Sequence, residues 1–309
     1  MTYPVVSSPY GLKPINLQGG RVFSGSTRMI PIQQGYATNI FNGDVVGLSA
    51  GTAIITPYSA SGASAAAAGN IIGVFLGAEY SVPNSVITGK NRFQMYNASQ
   101  NTSTDIVGYV VDDPLAYFKA AVIAQPQGSA NTQANTGLTV GYMSPRFVGT
   151  NAFLVAGNGG NTQNGDSYAG VCGGNPTVSS SVAGNIVQTV ATGAATSPCL
   201  RVIQLVQETS VTVSTTITSA TGSGTSFVVA SSTGLQPGMQ VVLTTATGTS
   251  AGAPGNTTVV TGVVTSTNTV TVSASVAWTL NQTVAFVGYP EVILGWNFGY
   301  HTYNIAAGV

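Results

Sequence analysis

The chain has 309 residues, of which 43% are hydrophobic and 5% are charged, compared with roughly 25% charged residues in an ordinary globular domain. This combination excludes a solvated disordered chain, which would be rich in charge and poor in apolar residues. The eight basic and eight acidic residues cancel, and without a concentrated basic patch nucleic acid is not an expected partner.

The first predicted element is an extended N-terminal segment, Thr2 to Arg28, which is rich in Pro and Gly. Such a segment can add a strand to a partner's sheet edge through main-chain hydrogen bonds, and the alternative is an ordinary N-terminal strand of the same domain. Its candidate interface residues are Tyr3, Tyr10, Lys13, Arg21, Phe23 and Arg28. Because no basic region precedes an apolar stretch here, no secretion signal is predicted, and we expect folding in the cytoplasm where the chain is made.

Short runs rich in Val, Ile, Phe and Tyr follow, separated by Gly, Pro, Asn and Ser, which is typical of β-strands. The predicted strands are Asp44–Leu48, Ala53–Tyr58, Ile71–Tyr80, Arg92–Tyr96, Ile106–Val111, Tyr117–Ala124, Phe153–Ala156, Val202–Val206 and Val292–Phe298. The best apolar run, Ile71 to Ala78, is far shorter than the roughly 20 residues of a transmembrane helix, so no membrane partner is expected.

One local helix start is predicted at Asp113 and Pro114. Asp is a favoured cap residue, and Pro is well placed at the first helical position. This pair predicts a single helical turn over Leu115–Phe118, leading into the next strand.

The segment from Thr209 to Gly288 contains no Asp, Glu, Lys, Arg or His and is dominated by Thr, Ser, Val, Ala and Gly. Its alternating runs are Val211–Ser214, Ser226–Val229, Met239–Leu243, Thr258–Thr261, Thr269–Ser273 and Thr283–Val287. Turn signals separate these runs, including Pro237-Gly238, which fits a type II turn. The length of about 80 residues suits a small β-sandwich domain.

The segments on either side of this module have ordinary charge and predict two strands of a host domain, as expected when a domain replaces a hairpin loop. We therefore predict an all-β protein in two parts. Residues 1–208 and 289–309 form a β-barrel or sandwich-like host domain, and residues 209–288 form a second, small β-sandwich (Ig-like) domain inserted near the C-terminus.

Residues that carry catalytic or metal chemistry are few and scattered. His301 is the single histidine and no GxSxG motif is present, so nucleophilic catalysis lacks its partners. The glycine-rich loop Gly157–Asp166 holds one carboxylate where calcium needs several, which favours a plain loop. Cys172 and Cys199 lack CxxC spacing and are either free thiols in a reducing compartment or a disulfide. The sequence predicts no enzyme, no cofactor and no metal site.

An aromatic stretch lies near the C-terminus, where Trp296, Phe298 and Tyr300 alternate with other residues. Alternate residues of a strand share one face, so these three rings are expected side by side. The stretch is interpreted either as core packing of a last strand or as a protomer interface, in which Trp and Tyr are frequent anchors.

Several motifs along the chain carry a resemblance to a known family. They are Tyr10–Arg21, Gly25–Ile32, Gly35–Val46, Ile71–Tyr80 and Val110–Pro114, with Arg201–Val206 and Pro290–Leu294 near the end. This series resembles structural proteins of tailed phages that are usually assigned as capsid decoration, or cement, proteins. The resemblance covers roughly residues 9–125 and 198–304 but not 209–288, which looks like the Ser/Thr-rich β insertions of phage virion proteins.

The resemblance implies a protein, made in the cytoplasm of a bacterial host, that binds the outer surface of an expanded capsid in the virion and bridges capsid subunits against the pressure of packaged DNA. The extended N-terminal segment is expected to face the capsid. Subunits held at several points cannot leave unless every link breaks. The expected partners are the major capsid protein and the chain itself, as a homotrimer or, as second choice, a dimer. One alternative is a head fibre or adhesion protein that binds host-surface glycans through residues 209–288. A bacterial S-layer-like protein is another, and it would need a secretion signal.

Overall fold

A computed structural model describes residues 4–48, 55–57, 71–81, 91–103, 105–124, 140, 145, 148–152, 154–155, 159–173, 200–210, 212–243 and 258–297. The described chain is built from β-strands, and its one named helical element is a single 3-10 turn at Gln207–Thr209. The all-β prediction is therefore confirmed.

The strands of the described residues are numbered in chain order. The first eleven are β1 (Lys13–Leu17), β2 (Arg21–Val22), β3 (Arg28–Pro31), β4 (Ile40–Phe41), β5 (Val45–Leu48), β6 (Ile55–Pro57), β7 (Ile71–Ser81), β8 (Asn91–Gln94), β9 (Tyr96–Asn97), β10 (Val107–Val111) and β11 (Ala116–Ala124). The others are β12 (Asn151–Ala152), β13 (Leu154–Val155), β14 (Gly170–Gly173), β15 (Leu200–Val206), β16 (Thr212–Thr216), β17 (Gly222–Val228), β18 (Gln240–Leu243), β19 (Val260–Val264), β20 (Thr269–Trp278), β21 (Thr283–Val287) and β22 (Glu291–Trp296).

Two larger sheets form the part of the chain outside the uncharged segment. An eight-stranded sheet has the order β12-β15-β22-β11-β1-β2, with β14 pairing parallel to β11 and β13 pairing with β14. A six-stranded sheet has the order β3-β10-β7-β5-β6, with β8 paired to β7, and β4 pairs with β9 separately. The first sheet brings together strands that lie more than 150 residues apart, such as β1 and β22 on either side of β11.

The two larger sheets share one hydrophobic core. Phe118 of β11 and Trp296 of β22 pack edge to face with ring centroids 5.2 Å apart. From the other sheet, Val45, Val74 and Val111 enter the same cluster. Burial of strands from both sheets over one core is the arrangement of a sandwich and agrees with the predicted host fold.

The uncharged segment forms two three-stranded sheets, β16-β21-β18 and β17-β20-β19. Each of its six predicted runs overlaps an observed strand. Their alternation places Phe227, Trp278 and Phe286 in a separate core, where Phe227 lies 5.3 Å from Trp278 and 6.5 Å from Phe286 between ring centroids. The domain boundaries themselves, at residues 209 and 288, remain a sequence-based prediction.

The predicted type II turn at Pro237-Gly238 is confirmed. Gly238 has φ of 92°, in the left-handed region that a type II turn requires at its third residue. The amide of Met239 donates to the carbonyl of Gln236 across 3.3 Å and closes the turn.

The predicted helical turn after Asp113 is wrong. The Asp113 side chain accepts a hydrogen bond from the Leu115 amide at 2.8 Å, and its carbonyl accepts one from the Ala116 amide at 3.1 Å. These bonds close a tight turn, and β11 begins at Ala116 with pairing to Leu17. Asp followed by Pro begins β-turns as readily as helices, and here the sheet takes the backbone groups that a helix would need.

The uncharged module is docked onto the eight-stranded sheet. Val242 and Val287 on its first sheet pack into a cluster with Ile123 and Tyr289. Gln240 is buried beside them, donates to the Tyr289 hydroxyl at 3.0 Å and accepts from the Val140 amide at 3.1 Å. Satisfied polar groups within an apolar contact favour a defined docking geometry.

Candidate functional site

The N-terminal segment, which one interpretation of the sequence makes an attachment arm, contacts several parts of its own chain. Val5 packs against the core of the uncharged module, and the carbonyl of Val6 accepts a hydrogen bond from the Tyr289 amide at 3.0 Å. Leu12 is fully buried in the core shared by the two larger sheets. β1 then pairs with β11 on one side and β2 on the other. Residues 13–17 thus form a strand of their own domain, as the alternative interpretation held.

Tyr10, a predicted interface residue, points inward. Its hydroxyl donates a hydrogen bond to Oε1 of Glu291, a residue that is 4% exposed. The Lys119 ammonium lies 3.1 Å from the same oxygen and 5.9 Å from the centre of the Tyr10 ring. Burial, followed by the bond to Glu291, raises the pKa of the Tyr10 phenol above its ordinary value. A buried carboxylate in an apolar sheet needs such partners, so Tyr10 and Lys119 stabilise the fold at this point.

The remaining predicted residues of the segment lie nearer the surface. Arg21 is exposed on the edge strand β2, and Phe23 is partly buried against the main core. Arg28 is exposed on β3 and forms an ion pair of 2.7 Å with Asp112. Exposed pairs of this kind contribute at most about 1 kcal/mol, so Arg28 remains available to a partner. Tyr3 lies outside the described residues.

Trp296 is the one aromatic residue of the predicted stretch that lies within the described residues. It is 3% exposed and packs against Phe118, as the core-packing interpretation expected. A protomer contact through this ring would require the core to open. Phe298, Tyr300 and His301 lie outside the described residues, as does Cys199, and the side chain of Cys172 is likewise not described.

An exposed line of apolar side chains crosses four neighbouring strands of the six-stranded sheet, and sequence reasoning missed it. Met29 of β3 lies opposite Tyr109 of β10, which lies opposite Gly77 of β7. Phe93 of β8 lies opposite Glu79 of β7, and its ring extends over Gly77, 5.8 Å from the ring of Tyr109. Met29 is 61% and Phe93 is 54% exposed. We call Met29, Tyr109, Gly77 and Phe93 the outer apolar row.

Two local features hold the outer apolar row in place. A Cβ at Gly77 would lie 2.5 Å from Cζ of Phe93 and 2.8 Å from the Gln94 carbonyl, so only glycine leaves room for the ring. The Tyr109 hydroxyl donates a hydrogen bond to Glu79, which raises the pKa of the phenol. Rings fixed in this way lose little conformational entropy when a partner covers them.

A polar cluster lies where β1, the β4–β5 connection and the loop 159–167 meet. Lys13 donates to Oδ1 of Asn42, and its ammonium lies 2.5 Å from Oδ1 of Asp166. Asp44 accepts hydrogen bonds from the Ser167 hydroxyl and, at 2.7 Å, from the Phe41 amide. Burial raises the pKa of Asp44 to about 6, although these two hydrogen bonds and the Lys13 charge act in the opposite direction.

The same cluster includes the carboxylate of the glycine-rich loop, for which the sequence disfavours calcium binding. The single carboxylate of this loop, Asp166, is engaged by the Lys13 ammonium, whose positive charge opposes a bound cation at this position. Within the described ranges, no three His, Cys, Asp or Glu side chains group closely enough to hold a metal ion. None of the described segments forms a helix with the length and hydropathy that a bilayer crossing requires.

The chain matches no family model, no curated protein and no solved structure. The likeness to phage decoration proteins therefore rests on the sequence motifs alone.

Proposed function

We propose that this chain is a structural protein of a tailed-phage virion, which attaches to the outside of the expanded capsid and bridges its subunits. The single observation that carries the proposal is the outer apolar row, and the motif resemblance agrees with it. Exposed contiguous apolar side chains on a folded domain mark sites of protein contact. Met, Tyr and Phe are the residue types enriched at such contacts.

The strength of one attachment follows from the side chains involved. Full burial of a Met or Phe side chain contributes about 1.5–3 kcal/mol. Since Met29 and Phe93 are already partly covered, at 61% and 54% exposure, a partner gains part of this amount from each. One copy therefore binds modestly, and strength comes from repetition, because a capsid subunit held at several points leaves only when all contacts open together.

The low charge of the chain suits dense packing of copies on a shell. Sixteen charged residues of opposite sign leave no net charge, and several of them are consumed in internal contacts, such as Lys13 with Asp166 and Lys119 with Glu291. Copies with little net charge repel one another weakly, which favours association side by side.

Adhesion to host glycans is a second candidate, favoured by the outward face of the module. Along β20, Thr271, Ser273 and Ser275 are exposed while Val270 and Val272 are buried. A row of hydroxyl groups on a rigid strand offers donors and acceptors to a sugar without a charge to desolvate. Binding of the full-length chain to host cells, compared with a Thr271→Val/Ser275→Ala variant, tests this candidate.

The main proposal is tested by co-sedimentation of the full-length chain with expanded and unexpanded capsids of its phage. We expect stoichiometric binding to expanded shells. The variant Met29→Gln/Phe93→Gln is expected to weaken binding at least about tenfold, as hot-spot residues do. The matched control Val264→Gln/Leu280→Gln changes two residues of similar exposure, 51% and 52%, on the module. Equal binding by both variants would refute attachment through the outer apolar row, and no binding to expanded shells would refute the function.

A further inference from the structure

The polar cluster places an amine beside a carboxamide in a fixed geometry. Lys13 on β1 donates to the side-chain oxygen of Asn42. Asn42 lies next to Asp166 in an isolated parallel bridge, in which the Asn42 amide donates to the Gly165 carbonyl and the Ser167 amide donates to the Asn42 carbonyl, both at 2.9 Å. The backbone therefore holds the Asn42 and Asp166 side chains together at the end of Lys13.

The surroundings of Asn42 shield and orient its side chain. The residue is 5% exposed. Its Nδ2 donates to the Leu76 carbonyl at 2.6 Å and lies 3.9 Å from the sulfur of Met95. Because Nδ2 is engaged on that side, Oδ1 and the electrophilic Cγ are presented to Lys13. A nucleophile and a carbonyl held in contact react far faster than the same groups in solution.

We propose that Lys13 and Asn42 form an intramolecular amide, a covalent bond between Nζ of Lys13 and Cγ of Asn42. Asp166, whose Oδ1 lies 2.5 Å from Nζ, accepts a proton from the Lys13 ammonium and frees the electron pair that attacks Cγ. The bond from Cγ to Nδ2 then breaks, and the leaving nitrogen takes up the protons shed by Nζ, one of them through Asp166. One ammonium ion is released, the positive charge of Lys13 leaves with it, and no oxidant or cofactor is needed.

Asp44 is a positioning residue in this scheme. Its carboxylate accepts from the Phe41 amide and from the Ser167 hydroxyl, and so it ties the end of β4 to the loop that carries Asp166. The neighbouring Gly43, with φ of 93°, directs its amide to the Phe75 carbonyl at 2.8 Å. An Asn-Gly pair can also release ammonia by closing a succinimide, in which the backbone nitrogen of the glycine attacks the asparagine side chain. The hydrogen bond from the Gly43 amide to Phe75 opposes this competing reaction.

The bond would join the two larger sheets of the fold. Lys13 belongs to the eight-stranded sheet, and Asn42 lies between β4 and β5, next to the six-stranded sheet. A covalent link across 29 residues restricts the unfolded chain as a disulfide does, but it cannot be reduced. The inference stands independently of the proposed attachment to a capsid.

The test is mass spectrometry of the full-length purified chain, together with two variants. We expect the intact mass to be lower than that of the sequence by one ammonia. Trypsin should then release a branched peptide joining residues 1–21 to residues 29–90, because Lys13 precedes Pro14 and is not a cleavage site. Lys13→Arg keeps the positive charge and should restore the full mass, whereas Lys119→Arg, the control, should still lose ammonia.

Each other outcome overturns the proposal. An intact mass equal to that of the sequence means that Lys13 and Asn42 are only hydrogen-bonded. Loss of ammonia that persists in Lys13→Arg means that an Asn-Gly pair (Asn42-Gly43, Asn158-Gly159 or Asn164-Gly165) has closed a succinimide without Lys13. Loss of one water, with a branch at Asp166, means that Lys13 is bonded to the carboxyl group of Asp166 and not to Asn42. The Lys13→Arg variant must retain the far-ultraviolet spectrum of the parent, and because the parent's own mass is the primary result, the proposal does not depend on that variant folding.

Discussion

The parent protein should become less stable as the pH rises, because Asp44 becomes charged in a buried position. Replacement of Asp44 by Asn should abolish this contribution. Burial raises the pKa of Asp44 from 3.8 to about 6, against the opposing influence of its two hydrogen bonds and of Lys13. The folded state therefore binds the proton more tightly than the unfolded chain does. Stability is greatest below the unfolded pKa and declines as the pH rises through the folded pKa.

The size of the effect follows from the shift. At about 1.36 kcal/mol for each pKa unit, a change from 3.8 to about 6 corresponds to about 3 kcal/mol of unfolding free energy. Asn has nearly the same shape and carries no charge at any pH, so Asp44→Asn should escape this loss. Between pH 4 and pH 7, the stability of the variant should gain on that of the parent by up to about 3 kcal/mol.

The assay is equilibrium unfolding in guanidinium chloride at several pH values from 4 to 7. Both proteins should carry Lys13→Arg, so that they cannot differ in amide formation. Other carboxylates titrate in the same range, but they are common to both proteins and cancel in the difference. Parallel stability profiles, or a parent that gains on the Asp44→Asn variant as the pH rises, would refute a buried carboxyl with a raised pKa.

Three further substitutions test the fold and its internal contacts. Phe227→Ala should cost about 3–5 kcal/mol in chemical denaturation, because it empties the centre of the module core; a cost below about 1 kcal/mol would contradict that core. Gly238→Ala should cost more than about 1 kcal/mol, since φ is 92° and a Cβ would lie 2.8 Å from Cβ of Ser7; thermal melting measures this, and an unchanged midpoint would contradict the turn. Tyr10→Phe should cost about 1–3 kcal/mol, because Glu291 loses a hydrogen-bond donor in a buried position; a neutral result would place the carboxylate in water.

Local pattern was sufficient wherever one strand's own residues decide the structure. Val270 and Val272 alternate with Thr271 and Ser273, and the strand buries the first pair and exposes the second. Such alternation is a property of the extended backbone and needs no knowledge of the neighbours. The Pro237-Gly238 turn was predictable for a similar reason, because proline and glycine restrict the local backbone directly.

Prediction from local sequence pattern failed where the same residues are typical of two different backbone structures. Asp113 binds backbone amides equally well at the start of a helix and in a β-turn, and the pairing of Ala116 with Leu17 decided between them. The outer apolar row could not be predicted from the sequence for another reason. Met29, Tyr109 and Phe93 belong to three strands, and only the sheet register aligns them.

The linear chain already contains its all-β character and its uncharged module, because composition and two-residue periodicity act within a few residues. Only the tertiary structure decided which scattered charges meet. Lys13 pairs with Asp166, 153 residues away in the sequence, and Tyr10 donates a hydrogen bond to Glu291, 281 residues away. A strand's pattern states that its two faces differ, but the sheet order determines what covers each face, and that order depends on contacts between segments distant in sequence.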